Sequence, residues 1–216
     1  MKIAVLGTGA VGTTIGSKLV ELGHQVMIGS RTKKNEKAAE WMMKNDENAS
    51  SGTFADAAAF GEIIFNCTKG ENSLEALQQA GAANMKGKII IDVTNPLDSS
   101  KGMPPILSIS NTNSLGEEIQ KAFPNSHVVK TLNTMWCGLM VNPRMLKDSH
   151  TVFVCGNNAD AKTKVKSILK QFGWKDAEIM DIGDITSSRG TESYLPLWLR
   201  VWMTTNNGAF NIKIVS

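Results

Sequence analysis

The residues Gly7-Thr8-Gly9-Ala10-Val11-Gly12 constrain this chain more than any other stretch. They follow a short apolar run, Ile3–Leu6, and open a segment in which Val11, Ile15, Leu19 and Leu22 keep helical spacing until Gly23 stops it. A strand, a G-x-G-x-x-G turn and a helix in immediate succession specify a strand–turn–helix unit. Its first glycine permits the tight turn, its second lets a ligand approach the backbone, and its third lets helix and strand pack closely. Thr8, Ala10 and Val11 lie between these glycines, where the free N–H groups of a helix start favour an anion.

The rest of the chain repeats the alternation. Further apolar runs stand at Val26–Ile28, Ile63–Cys67, Ile89–Val93, Val128–Leu132 and Val152–Cys155, with a weaker one at Ala177–Ile182. They are continuous rather than alternating, as strands buried on both faces of a mainly parallel sheet are. Helical patterns over Lys34–Lys44, Ser73–Gln79, Leu115–Phe123 and Asp160–Phe172 fill the gaps. The expected fold is therefore α/β, a Rossmann-type doubly wound sheet. A dinucleotide-binding domain is expected over residues 1–182, with a C-terminal helical segment over 183–216 that carries an aromatic helix from Ser187 to about Thr205. The loop Asn95–Asn113 is long enough to expect a functional role.

At the end of the second strand, an Asp or Glu would accept hydrogen bonds from the ribose 2′-OH of NAD. This chain has Gly29-Ser30-Arg31 there, followed by Lys33 and Lys34. A hydroxyl, a guanidinium and an ammonium suit a 2′-phosphate instead, so NADP(H) is the expected ligand. Lys33 and Lys34 read as a helix start are poorly placed for the dipole, which favours a ligand role for them.

Composition narrows the alternatives. In 216 residues the formal net charge is only +3, and no basic run is dense enough for nucleic acid. Cys67, Cys137 and Cys155 are odd in number and far apart, and the three histidines lack metal-ligand spacing, so neither disulfides nor a metal site is expected. Cys67 and Cys155 are expected in buried strands, and each histidine near the start of one. The N-terminus runs directly into a strand, and "YLPLWLRVWM" is too short for a membrane span and contains Arg200, so a cytoplasmic protein with no membrane partner is expected.

With "GTGAVG", "LGHQVMIGSR", "IIIDVTNPL", "VVKTLNT", "VFVCGN" and "SRGTESYLPLW" taken together, the chain resembles the F420-dependent NADP oxidoreductases along nearly its whole length. It is also similar to the reductase domain of the STEAP ferric reductases. The resemblance implies NADP lying across the strand ends, with a small C-terminal part helping to form the acceptor pocket. It implies that Thr8, Ala10 and Val11 line the pyrophosphate, and that Ser30, Arg31 and a following lysine take the 2′-phosphate. Cys67, Thr68 and Lys69 would lie along the nicotinamide-side ribose, and Asn95 and Pro96 at the end of the next strand. Asn133, Thr134, Met135 and Cys137 would surround the nicotinamide. Asn133 stands where archaeal F420 reductases carry a histidine, and Trp136 replaces a smaller residue.

Hydride transfer to coenzyme F420 or a flavin (FMN or FAD) needs ring stacking and exclusion of water rather than a dedicated catalytic side chain, and no catalytic residue is picked out here. Two other readings stay open: an NADP-dependent dehydrogenase of a small carbonyl or imine substrate, and an NADP-binding redox sensor without turnover. The expected partner is a small-molecule electron acceptor. The aromatic helix offers a pocket wall, but Tyr194, Pro196, Trp198 and Trp202 suit core packing or a homodimer interface better than direct acceptor contact, and Arg189 and Glu192 a local pair.

Overall fold

The computed structural model describes residues 1–215; Ser216, the last residue of the expected C-terminal segment, lies outside the described residues. The chain runs β1 (Lys2–Leu6), α1 (Ala10–Glu21), β2 (Gln25–Ser30), α2 (Glu36–Met43), β3 (Ala49–Thr53), α3 (Phe54–Phe60) and β4 (Ile63–Asn66). It continues with α4 (Ser73–Ala80), α5 (Ala82–Met85), β5 (Ile89–Asp92), a small hairpin of β6 (Leu97–Asp98) and β7 (Ile106–Leu107), and α6 (Leu115–Ala122). Next come β8 (His127–Thr131), α7 (Cys137–Val141), β9 (Val152–Gly156), α8 (Ala159–Gln171), β10 (Ile179–Asp181) and α9 (Ser188–Thr205).

The main sheet is 8-stranded, ordered β10-β9-β8-β5-β4-β1-β2-β3. Strands β3, β2, β1, β4, β5 and β8 pair parallel, and only the β8–β9 junction is antiparallel. The order reverses between β1 and β4, and the crevice outside the carboxyl ends of these strands is where doubly wound sheets bind ligands.

The continuous apolar runs serve two cores. Ile3, Val5, Ile63, Phe65, Ile91 and Val129 point to one face, beneath α1, Trp41 of α2 and α8. Ala4, Leu6, Ile64, Ile90 and Val128 point to the other, beneath α3, α4 and α6. Most residues of the inner strands are therefore buried whichever way they face, the exceptions being strand starts such as Lys2 and Gln25.

Besides the short helices α5 and α7, three features depart from the expected elements. Strand β3, Ala-Ser-Ser-Gly-Thr, has no apolar run because it forms an edge and packs small residues. Helix α3 starts at a capping box in which Thr53 accepts from the Asp56 N–H and Asp56 accepts from the Thr53 N–H. The long loop holds the β6–β7 hairpin.

Helix α9 packs on α6 and β7, with Leu195, Trp198 and Leu199 buried against Leu97, Tyr194 and Phe210. The tail beyond it returns to the start of β9, where the Thr151 N–H donates to the Ile212 carbonyl at 2.9 Å. Among the described residues, no helix is long and apolar enough to cross a membrane.

Candidate functional site

Strand β1 delivers the chain into Gly7 at φ +115, a backbone region that side chains rarely enter. A Cβ there would also stand 2.7 Å from the Cys67 carbonyl oxygen, and one on Gly12 only 2.0 Å from the Gly7 carbonyl oxygen. The Gly7 N–H donates to the Gly29 carbonyl at 2.9 Å, which ties the turn to β2. The N-cap of α1 is Gly9, so no side chain caps this helix, and its first turn holds no acidic residue. The positive helix end is thus left open at the carboxyl edge of the sheet.

A cavity of about 410 Å³ opens against that helix end. It brings together Gly7, Thr8 and Gly9 from the turn, Ser30 and Arg31 from the end of β2, and Cys67, Thr68 and Lys69 from the end of β4. A larger cavity of about 820 Å³ shares Thr8 and Gly9 but extends past Ala10 along α1 and α2. The smaller one holds the residues expected from the sequence on both sides of the turn, and so is the candidate site. Gly12 is buried, and the Val11 side chain packs on the core, so neither lines either cavity.

Lys33 and Lys34 line neither cavity; Lys37, which the sequence did not single out, lines both. The loop after β2 explains this. Ser30 Oγ donates to the Thr32 carbonyl at 2.6 Å and Thr32 Oγ1 to the Lys34 carbonyl at 3.1 Å. Asn35 then caps α2 by accepting from the Ala38 N–H at 3.0 Å. The helix therefore begins at Glu36 rather than Lys34, with Lys33 and Lys34 in the loop before it. The cation in its first turn is Lys37, and the dipole argument applies to that residue.

At the far end of the edge, Asn95 and Asn133 interlock. Asn95 Nδ2 donates to the Asn133 carbonyl at 2.8 Å, and Asn133 Nδ2 to Asn95 Oδ1 at 2.9 Å. A Cβ on Gly70 would stand 1.9 Å from the Asn95 carbonyl oxygen and 3.0 Å from Pro96 Cα, so the loops after β4, β5 and β8 are drawn together. Asn133, Thr134 and Met135 are buried. Cys137 lies against α1 and accepts from Thr14 Oγ1 at 3.8 Å.

Beyond them Trp136, 40 % exposed, begins an aromatic hollow of about 420 Å³ that also takes in Trp198, Trp202 and Gly208. Trp198 stacks between Trp202 and Phe210, with ring centroids 6.3 and 5.2 Å away. Its Nε1 is buried with no hydrogen-bond partner among the described residues.

Burial pushes the Cys67 thiol up, helped by the nearby Asp92 carboxyl. Burial likewise pushes the Cys155 thiol up to about 12. Neither offers a thiolate near neutral pH.

Arg189 and Glu192 form no local pair. Arg189 Nε donates to Glu117 of α6 at 2.8 Å. Glu192 is buried and lies 2.7 Å from Lys130 Nζ, which is also 2.7 Å from Asp92 Oδ2. The sequence reading picks out neither Asp92 nor Lys130, and Glu192 only as a local partner of Arg189. The available signal was an acidic and a basic residue inside two runs otherwise apolar enough for the sheet interior.

Comparison with known proteins agrees with this architecture. The family model for NADP oxidoreductase, coenzyme F420-dependent, matches residues 2–96. A crystal structure from Arthrobacter sp. FB24, described as a candidate F420-dependent NADP reductase, is 47 % identical with a TM-score of 0.95, covering 100 % of both chains. The F420-dependent NADP reductase of Methanothermobacter marburgensis is 34 % identical over 108 residues, 47 % of this chain and 48 % of that protein. Metalloreductase STEAP3 of Rattus norvegicus is 28 % identical over 206 residues, 91 % of this chain but 38 % of that protein, so the chain spans well under half the length of this relative. The chain belongs to the F420-dependent NADP oxidoreductase family.

Proposed function

We propose that this protein transfers hydride between NADPH and a deazaflavin or flavin acceptor, with coenzyme F420 as the acceptor that its family relationship favours. One observation carries the nucleotide half. The cavity at the open end of α1 collects Arg31, Lys37 and Lys69, and among the described residues no carboxylate lines it. A dinucleotide with a third phosphate fits this set. The uncapped helix end receives the pyrophosphate, while Ser30, Arg31 and Lys37 stand where β2 meets the 2′-phosphate.

The hydride chemistry itself belongs to the nicotinamide and the acceptor ring. The chain's own residues bind, orient and exclude water. Gly9 has no heavy atom within 4 Å of its Cβ position, which leaves the backbone open to a phosphate. Thr68 and Lys69 extend the contact toward the nicotinamide-side ribose, and the interlocked Asn95 and Asn133 hold the loops that border the reacting end. The aromatic hollow suits a planar acceptor, with Trp136 as its wall. Stacking of this kind supplies on the order of 7–11 kcal/mol of barrier lowering when two rings are held in register.

The test is anaerobic NADPH oxidation by the purified protein with F420, FMN, FAD and riboflavin offered in parallel. Saturable turnover, fastest with F420, is expected. Tight NADPH binding without turnover of any of the four would refute the reaction class.

A further inference from the structure

The ammonium of Lys130 lies at the centre of a buried network. Its side chain and that of Asp92 are 0 % exposed and that of Glu192 is 2 % exposed. Burial alone would push the lysine down, but the Asp92 and Glu192 carboxyls outweigh it and raise it, so the ammonium stays protonated. Such groups are weak evidence for stability, because well-packed apolar residues of similar volume often serve as well or better. What distinguishes this one is what it joins.

Toward the C-terminal segment, Glu192 of α9 also accepts from the Leu115 and Gly116 N–H groups at 2.8 and 3.0 Å, holding α9 to the start of α6. Toward the cavity, Asp92 Oδ1 accepts from Thr94 Oγ1 at 2.7 Å and from Asn66 Nδ2 at 3.0 Å. Asn66 Oδ1 in turn accepts from Thr68 Oγ1 at 2.8 Å. Thr68 lines the cavity, and Thr94 leads directly into Asn95, which interlocks with Asn133. An unbroken series of hydrogen bonds and ion pairs thus runs from α9 through Glu192, Lys130, Asp92 and Asn66 to Thr68. It does not reach Gly9, Arg31 or Lys37.

We infer that the Glu192–Lys130–Asp92 triad is a positioning device that fixes the nicotinamide-side loops against α9, so that only the nicotinamide half of the nucleotide depends on it. This rests on the nucleotide reading above. Glu192 serves because both of its oxygens face donors: Oε1 faces Lys130 Nζ and the Gly116 N–H, and Oε2 the Leu115 N–H. A glutamine in either orientation would turn its amide group toward one of these donors.

The experiment compares binding of NADPH with binding of adenosine 2′,5′-bisphosphate, which lacks the nicotinamide half, by titration calorimetry on wild type and Glu192→Gln. The variant should lose about tenfold in NADPH affinity, the order of one hydrogen bond. Its affinity for the bisphosphate should stay within about twofold. A merely structural role would weaken both ligands alike, and that result, or no loss for either, would overturn the inference. Asn66→Ser leaves the partners of Lys130 in place and cuts the connection to Thr68; it should show the same split, and decides the matter if Glu192→Gln does not fold. A wild type that binds neither ligand would instead remove the nucleotide reading, and the inference with it.

Discussion

Gly9→Val separates binding from folding at a single position. Gly9 sits at φ −77 and ψ 178, extended backbone that any residue adopts. The position of its missing Cβ has no heavy atom within 4 Å, so the new side chain enters the open cavity without displacing the fold. The structural cost is that of a poorer helix N-cap, roughly 0.5–1 kcal/mol, or a fall in Tm of about 1–4 °C at this chain length. The binding cost is larger. A phosphate must come within about 2.9 Å of the first-turn nitrogens, and the isopropyl group occupies that approach. Losing two charge-assisted hydrogen bonds at about 1.5–3 kcal/mol each weakens binding by at least about a hundredfold.

Gly12→Val is the contrasting variant. Its Cβ would lie 2.0 Å from the Gly7 carbonyl oxygen, where a carbon–oxygen contact needs about 3.3 Å, so both stability and binding should fall. Scanning calorimetry without ligand gives Tm, and NADPH fluorescence titration gives Kd. A folded Gly9→Val protein that keeps NADPH affinity within about tenfold would refute the placement of the pyrophosphate on this turn.

Other outcomes follow from the same geometry. Arg31→Asp should weaken NADPH by about a hundredfold, from one lost charge-assisted hydrogen bond and one added like charge, and leave NADH nearly unchanged; equal losses in Kd would remove Arg31 from the 2′-phosphate. Lys37→Ala should weaken NADPH more than Lys33→Ala does, because only Lys37 lines the cavity, and the reverse ranking would reject that assignment. Trp136→Ala should lower kcat/KM for the acceptor several-fold with little change in NADPH affinity, because the ring is 40 % exposed beside the aromatic hollow; a change confined to NADPH affinity would place it elsewhere. Burial alone would raise the Asp181 carboxyl, but Lys162, the Gly183 N–H and Lys166 outweigh it and hold it at about 2, below its ordinary 3.8. A carboxyl depressed in the folded state contributes stability above its unfolded range and loses it as pH falls through the folded value. Because Asp181 is about a third exposed, screening leaves on the order of 1 kcal/mol. Asp181→Asn should therefore be less stable than wild type at pH 7 and indistinguishable from it near pH 1, and an unchanged difference in urea midpoints would contradict this account.

The sequence by itself determined the parts of the molecule that depend on neighbours along the chain. The Gly7, Gly9 and Gly12 turn was legible because each glycine answers a local need of strand, turn and helix. The doubly wound sheet was legible because strands covered on both faces leave continuous apolar runs, as Ile3–Leu6 and Ile89–Ile91 do. At a sheet edge the signal weakens, as at Ile179–Asp181, or vanishes, which is why Ala49–Thr53 went unread. Ser30 and Arg31 were legible from the missing carboxylate at the end of β2.

Tertiary structure alone decided which lysine faces the cavity. Local pattern pointed to Lys33 and Lys34, but the Asn35 cap starts α2 later and turns Lys37 inward. It also decided the role of Glu192. Spacing on a helix pairs it with Arg189, whereas packing α9 onto α6 brings it to Lys130, where a buried ammonium outweighs an exposed neighbour. The close approach of Gly70 to Asn95 belongs to the same class. These contacts join residues far apart in the chain, and the free energy that selects them comes from burial and the pairing of charges, which no local spacing records.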